Sequence, residues 1–426
     1  MRRGEDLREH TEGERGTVEV VGGCWRTVEV AGGCRRTVKV AGGCRRTTKL
    51  AKGKIKDCIS LFSIPGNARS DRHVGHPVRS LNTWLPFYLV DSLEGLSPKT
   101  ISSLGGLNQM LGLPDYAFAA VARDSMQSLP EYNSTNKIGA SFQTRCGRFL
   151  IKPVDYVEMI SCMRPNVWAT LADEVPAWVP EKRNKTSVDR TVRWLDECIV
   201  LSSAGGAILG SIVGGSDVEE RERCAQEVAR RSVSGYLIGG FGLGESIEER
   251  PALLNAVTDM LQEEKPRFVC GLGLPEEVLQ GVAAGIDLFD SEYIYHLTLG
   301  GIALTFPPSG VEINASEFQP SYIGIEQTKI NLRATIYRKD TSPIFENCGC
   351  YTCQNHTRAY INHLLNVHEM LAHILLEIHN THHYLSFFKS IREAIEAGEF
   401  DKFRHRFIES RCESDDHPAV AVAACV

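Results

Sequence analysis

The sequence predicts an α/β chain folded as a (β/α)8 barrel of the TIM type, and two observations lead there. Short β-rich runs alternate with longer helix-patterned runs at the spacing of strand–helix units. Glycines and acids recur just after the strand runs, in "LADE", "VGG", "IGGFG", "GLG" and "FDS". An open doubly wound sheet fits the alternation equally well. The placement of the glycines and acids favours the barrel, whose site gathers at the C-terminal ends of its strands. Neither a GxGxxG following the first strand nor a GxxxxGK[ST] is found, so a dinucleotide or nucleoside-triphosphate site is not expected.

Taken in chain order, the units begin with "NVWATLAD" (166–173), read as a strand, and "SVDRTVRWLDECIVL" (187–201), read as a helix. "GAILGSIVGG" (206–215) and "DVEERERCAQEVARRS" (217–232) form the next pair, then "GYLIGGFG" (235–242) and "SIEERPALLNAVTDMLQ" (246–262). "RFVCGLG" (267–273), "PEEVLQGVAAG" (275–285) and "IDLFD" (286–290) complete the run. The texture changes near residue 91, which divides the chain into a divergent region 1–90, a barrel region 91–411 and a tail 412–426.

Within the first region a ten-residue unit repeats as "TVEVVGGCWR", "TVEVAGGCRR" and "TVKVAGGCRR", then decays to "TTKLAKGK". One reading is short strands joined by Gly-Gly turns, or a metal-binding array of Cys24, Cys34 and Cys44. The favoured reading is a low-complexity segment with no fold of its own, because four or five strand-forming residues per unit cannot bury a core. Glu9, Glu12, Glu14 and Glu19 argue against an acid-poor transit peptide.

With 426 residues, 42% of them hydrophobic, the chain can bury a substantial core. No run of about 18 uncharged apolar residues and no secretory signal is seen, so a soluble, cytoplasmic protein without a transmembrane segment is expected. The formal net charge is −6, and residues 1–56 hold 14 Lys/Arg against 7 Asp/Glu. The remainder is therefore acidic, and a nucleic-acid partner would have to meet a local basic patch. Most of the 14 cysteines are scattered through apolar or helical surroundings, as buried free thiols are.

Three cysteines are different. "FENCGCYTCQNHTRAY" (345–360) carries Cys348, Cys350 and Cys353 as C-x-C-x-x-C, a spacing that turns three thiolates into one knuckle. A structural zinc ion needs a fourth ligand. His356 is nearest in sequence, but it opens a helix-patterned run that leads away. His379 comes 26 positions after Cys353, and one straight helix would carry it roughly 39 Å off. Asn366 followed by Glu369 has the pattern of a capping box, so one helix can end there and another begin. Two antiparallel helices of about 11 and 13 residues nearly cancel in length and return His379 to the thiols. Four protein ligands fill a tetrahedron, which makes a Zn2+ ion held there architectural. His363, His368, His373, His382 and His383 read as packing or surface residues.

The run "CGCYTCQNHTRAYINHLLNVHEMLAHILLEIHNTHHYLSFFKSIREAIEAGEF" resembles the zinc-binding end of tRNA-guanine transglycosylases. "LEGLSPKTISSLGGLNQMLGL", "PNVWATLADEVP", "NKTSVDRTVRWLDECI", "GYLIGGFGLGE", "EEKPRFVCGLGLPEEVL" and "GIDLFDS" support the likeness over residues 91 to about 411. The resemblance implies a (β/α)8 barrel with an inserted zinc-binding helical subdomain, here about 345–390. It also implies exchange of guanine for queuine at the tRNA wobble position 34 of GUN anticodons. In catalytic members one rim aspartate attacks the ribose and a second handles protons.

By that resemblance Asp290 stands at the nucleophile position, Asp173 at a base-recognising position, and Gly239, Gly240 and Gly242 form the glycine-rich wall. The second catalytic segment, Asp-Ser-Gly-Gly-Phe-Gln, has no counterpart between residues 91 and 150, where Asp115 and Asp124 stand in unrelated contexts. Val213 replaces the glutamine that holds the base, and a valine side chain cannot hydrogen-bond. His296 and Leu299 replace two arginines. The first barrel strands are also unrecognisable before residue 91. The resemblance therefore points to a non-catalytic subunit paired with a catalytic transglycosylase and acting on tRNA. A homodimer is the other assembly, and peripheral association with the mitochondrial outer membrane is a further expectation. An active transglycosylase using Asp290 is the alternative.

Overall fold

The computed structural model describes the backbone of four short strands at residues 27–30, 34–37, 62–63 and 84–88. It then describes residues 97–412, apart from 115, 124–129, 145–146, 203–205, 291 and 309–327. In the repeat region β1 (Thr27–Val30) and β2 (Cys34–Thr37) pair antiparallel, with Val30 opposite Cys34. The residues between the two strands, which hold the Gly-Gly pair, lie outside the described residues. Cys24, Cys44 and the tail beyond residue 412 lie outside the described residues.

The elements that follow are β3 (Phe62–Ser63), β4 (Trp84–Tyr88), α1 (Pro98–Ser103), α2 (Leu107–Met110), β5 (Ala117–Val121), β6 (Ala140–Thr144) and β7 (Gly147–Ile151). Next come α3 (Pro153–Met163), β8 (Val167–Ala169), α4 (Glu181–Leu201), β9 (Ala207–Ile212), α5 (Val218–Ala229), β10 (Gly235–Ile238) and α6 (Arg250–Thr258). β11 (Arg267–Val269), α7 (Pro275–Ala283), β12 (Leu288–Phe289) and α8 (Glu292–Gly300) complete the alternation.

One sheet runs β3-β12-β11-β10-β9-β8-β5-β4. Every ladder from β4 to β12 is parallel, and β3 adds to β12 antiparallel. This is the strand order of a (β/α) barrel, with β6 and β7 forming a hairpin excursion between β5 and β8. The sheet reaches back to Trp84, ahead of the boundary placed at 91. Pro86, which offers no amide to a ladder, lies on β4 at the end of the strand order, where that costs least.

Alternation along each strand builds two cores. Ala119, Val121, Val167, Ala169, Leu209, Phe268, Cys270 and Leu288 pack together on one face of the sheet. Their sequence neighbours Ala120, Trp168 and Phe289 belong to the layers under the helices. Burial on both faces is why these strands read as nearly continuous apolar runs. The helices show a single stripe: α4 buries Ser187, Val188, Thr191, Trp194, Leu195 and Cys198 at helical spacing.

After α8 the chain forms the hairpin β13 (Ile302–Leu304) and β14 (Lys329–Asn331), then α9 (Tyr351–Asn355), α10 (Arg358–Asn366), α11 (Met370–Glu396) and α12 (Phe400–Cys412). A separate core of Ala303, Ile330, Leu332, Ile361, Leu364, Leu365, Leu375 and Leu376 holds this subdomain. Asn380 ties α11 to β13 and to α8, its Oδ1 accepting from Leu304 N–H (2.9 Å) and its Nδ2 donating to Ile302 O (2.9 Å) and Thr298 Oγ1 (3.2 Å).

At the opposite ends of the strands, Asp287 Oδ2 accepts from the Arg267 amide at 2.9 Å, and burial raises its carboxyl to about 6. A carboxyl that binds its proton more tightly when folded adds stability below about pH 4 that is lost as pH rises through about 6. Asp287→Asn is therefore expected to flatten that slope and to stabilise the chain at pH 7 by on the order of 1–2 kcal/mol. Urea midpoints of both proteins between pH 4 and 8 check this.

Candidate metal centre and barrel-rim site

The metal candidates converge. The Sγ atoms of Cys348, Cys350 and Cys353 and a ring nitrogen of His379 all lie within 4.8 Å of one another. Three local features form the knuckle. Asn347 turns the chain with φ +59°, Cys350 caps α9 by accepting from Cys353 N–H (3.3 Å), and Thr352 Oγ1 donates to Leu375 O (2.7 Å), fastening α9 to α11. His379 sits within α11, fully buried, and returns as the two-helix geometry requires.

The turn that returns it differs from a capping box. α10 ends at Asn366, whose Nδ2 donates back to Asn362 O (2.8 Å), and Glu369 caps α11 without a side-chain bond. His368, at φ +59°, makes the reversal instead.

His379 Nδ1 lies 3.3, 3.6 and 3.8 Å from the sulfurs of Cys353, Cys350 and Cys348. Metal–sulfur bonds of ~2.3 Å and metal–nitrogen bonds of ~2.1 Å at tetrahedral angles place sulfur and nitrogen about 3.6 Å apart. The residues therefore fit one tetrahedral metal ion. Nε2 donates to Leu304 O at 2.8 Å, which leaves Nδ1 as the ligand atom and fixes the ring. Hydrogen bonds from Cys350 and Cys353 hold the Cys348 thiol well below its ordinary value, while Cys348 and Cys350 push Cys353 up. His383, one turn on, is a packing residue: its Nε2 meets Phe306 O at 2.6 Å and its ring stands edge-on to Phe306.

The rim candidates occupy the C-terminal ends of four strands. Asp290 follows β12 and accepts from Gly271 N–H at 2.9 Å, itself 2% exposed. Burial, then Asp290, raises the neighbouring Cys270 thiol. Gly239 and Gly240 follow β10, and a Cβ at Gly239 would stand 2.7 Å from Glu174 Oε1, so a larger residue there would have to move that carboxylate aside. Val213 is buried at the end of β9, with its amide directed at Cys224 Sγ (3.4 Å). Leu299 lies half exposed on α8.

Asp173 is enclosed on the side of α4. Its carboxylate takes a fork from Arg183 (Nη1–Oδ2 2.9 Å, Nη2–Oδ1 2.7 Å) and a third bond from Arg190 Nη1 (3.0 Å). Ser187 Oγ donates to its carbonyl (2.6 Å), and its amide meets Thr191 Oγ1 (3.0 Å). The acid at the glycine wall is the next residue, Glu174, which accepts from Gly240 N–H (3.0 Å) and from Arg123 Nε (2.6 Å).

Three further groups were missed in the sequence. Arg221 is wholly buried and donates to Gly215 O (2.7 Å), Gly239 O (3.2 Å) and Gly240 O (3.1 Å), with its guanidinium 4.3 Å over the Phe241 ring. Burial lowers it to about 10, so it stays charged at neutral pH. Its signal was positional, since it shares the buried stripe of α5 with Cys224, Ala225 and Val228. Glu245 accepts from the Gly242 and Leu243 amides (2.6 and 2.9 Å), and Arg250 joins it to Glu277. Glu174 gave no signal beyond its place beside Asp173.

Fold and site together define a parallel (β/α) barrel that carries acids at its rim and a Cys3His subdomain able to hold a metal. A family model described as "Queuine tRNA-ribosyltransferase" matches residues 92–413, and the chain belongs to that family. It is 39% identical over 325 residues to the queuine tRNA-ribosyltransferase accessory subunit 2 of Xenopus tropicalis, covering 70% of this chain and 78% of that one. The protein of the same description from Homo sapiens is 35% identical over 322 residues (68% and 77% covered), and that of Drosophila persimilis 34% over 301 (68% and 69%).

Proposed function

We propose that this chain is the non-catalytic subunit of a heterodimeric queuine tRNA-ribosyltransferase, whose partner exchanges guanine for queuine at wobble position 34 of GUN-anticodon tRNAs. The observation that carries the reading is the selective loss of site groups: Asp290 is retained, while Val213, His296 and Leu299 stand where a base-holding glutamine and two arginines are expected. One carboxylate can attack a ribose, but it needs a second to move protons.

The ion held by Cys348, Cys350, Cys353 and His379 is zinc, one per chain. Its role is architectural because the four ligands leave no position for water or substrate. The turn that it braces carries exposed Val367, Met370 and Leu371, with Tyr360 one face along α10. An apolar group on a rigid helix pair suits the partner contact, with self-pairing as the competing use. Among the described residues no helix is long and apolar enough to cross a membrane. We place the chain in the cytoplasm, with any contact to the mitochondrial outer membrane peripheral.

Co-purification with a catalytic subunit, followed by exchange of labelled guanine into tRNA, tests the reading. The expected result is no exchange by this chain alone and robust exchange by the pair. Exchange by the isolated chain that Asp290→Asn abolishes would establish it as an active transglycosylase instead.

A further inference from the structure

We infer that the chain's own arginines hold both rim acids, Arg183 and Arg190 on Asp173 and Arg123 on Glu174, so that this part of the rim fastens residues 131–144 rather than takes a purine. The inference rests on the non-catalytic reading and supplies its physical cause.

To recognise guanine, a carboxylate must accept from the base's ring and exocyclic N–H groups, so it needs lone pairs that face the pocket. Asp173 offers none. Three guanidinium hydrogen bonds use both of its oxygens, and its side chain is 0% exposed. Its backbone amide and carbonyl are also bound to α4, by Thr191 and Ser187. Glu174 does face the glycine wall, but its Oε1 already receives the Gly240 amide and its Oε2 receives Arg123. A purine would have to compete with a charge-assisted pair at each acid, where the Asp173 side chain is fully enclosed and that of Glu174 only 18% exposed, which is a poor exchange for neutral N–H donors.

The same arginines reach a second target. Arg183 Nη2 donates to Tyr132 O (3.1 Å), Arg190 Nη1 to Thr135 O (3.2 Å), and Arg193 Nη2 to Lys137 O. These three lie on one face of α4, so a row of guanidinium groups from a single helix grips the carbonyls of one loop. Thr135 Oγ1 then accepts from the Ser141 amide (2.9 Å), which carries the attachment into β6. Asp173 fixes two of the three arginines in the orientation that this grip requires.

The test uses the full-length, metal-loaded chain without partner or tRNA, with 7-deazaguanine as the probe. Calorimetry at millimolar probe is expected to show no binding by the wild type or by Asp173→Asn. In hydrogen exchange, Asp173→Asn and Arg190→Ala are expected to speed amide exchange across 131–144 by about tenfold or more, with strands β9 to β11 unchanged as the internal control of folding. Arg190→Lys, which keeps the charge but loses the guanidinium that meets both Asp173 and Thr135 O, should fall between. Binding of 7-deazaguanine by the wild type that Asp173→Asn abolishes overturns the proposal. So does unchanged exchange at 131–144 in both variants. Neither outcome bears on whether the chain supports a catalytic partner, which the tRNA exchange assay decides separately.

Discussion

His379→Ala is expected to release the metal and loosen α9, α10 and the first part of α11 while the parallel strands stay folded. The wild-type chain should carry about one zinc ion by elemental mass spectrometry, and the variant close to none. The loss is large because the ligand free energy of a structural zinc site is folding free energy. Three thiols and an imidazole brought within 4.8 Å repel or compete for protons without a cation to share. His379 also joins α11 to β13 through Leu304 O, so its removal cuts two attachments at once. A cost on the order of 5 kcal/mol or more follows from the metal alone. The separate hydrophobic core around Ile361 and Leu376 confines the damage to the region before about residue 380, because Tyr384, Phe387 and Phe388 further along α11 pack in the barrel core. Retention of stoichiometric zinc by the variant would show that the fourth ligand lies elsewhere. Loss of zinc together with loss of binding to a catalytic subunit would connect the architecture to its use.

Arg221→Ala should be nearly as costly, and for a different reason. The guanidinium is the common donor for carbonyls in two loops, Gly215 after β9 and Gly239 and Gly240 after β10. Removing it leaves three buried acceptors without a donor and a cavity against Phe241, for a total of roughly 3–5 kcal/mol. Arg221→Lys keeps the charge but can reach fewer of the three carbonyls, so it should recover only part of the loss. Thermal or urea unfolding of the three proteins, at matched zinc content, measures the order. Equal stability of the alanine variant and wild type would mean that the loops hold themselves without this brace.

Much of the fold could be read directly. "GAILGSIVGG", "GYLIGGFG" and "RFVCGLG" are apolar on both faces because both faces of the sheet are buried, and that pattern distinguishes a parallel sheet from a half-exposed one. The end strands were harder. β3 has two residues, β4 contains a proline, and neither presents a period long enough to recognise. The return of His379 was legible because helix rise is fixed at ~1.5 Å per residue, so chain length alone demanded a reversal. The residue that makes the reversal was not. His368 adopts the left-handed conformation, which for a residue other than glycine depends on its surroundings rather than its type.

The rim divides in the same way. The letters alone settled which four residues form the Cys3His knuckle, the barrel's order of strands and helices, and the presence of Val213, His296 and Leu299 where the family resemblance expects a glutamine and two arginines. Those are matters of spacing, periodicity and residue identity. Only the tertiary structure decided that Asp173 faces α4 while Glu174 faces the glycine wall, and that Arg221 points inward to brace two loops. Neighbouring residues at a strand's end point to opposite sides, and which side is the pocket depends on helices that pack from elsewhere in the chain. A carboxylate's availability is set by which cations reach it in space, and no local pattern of letters records that.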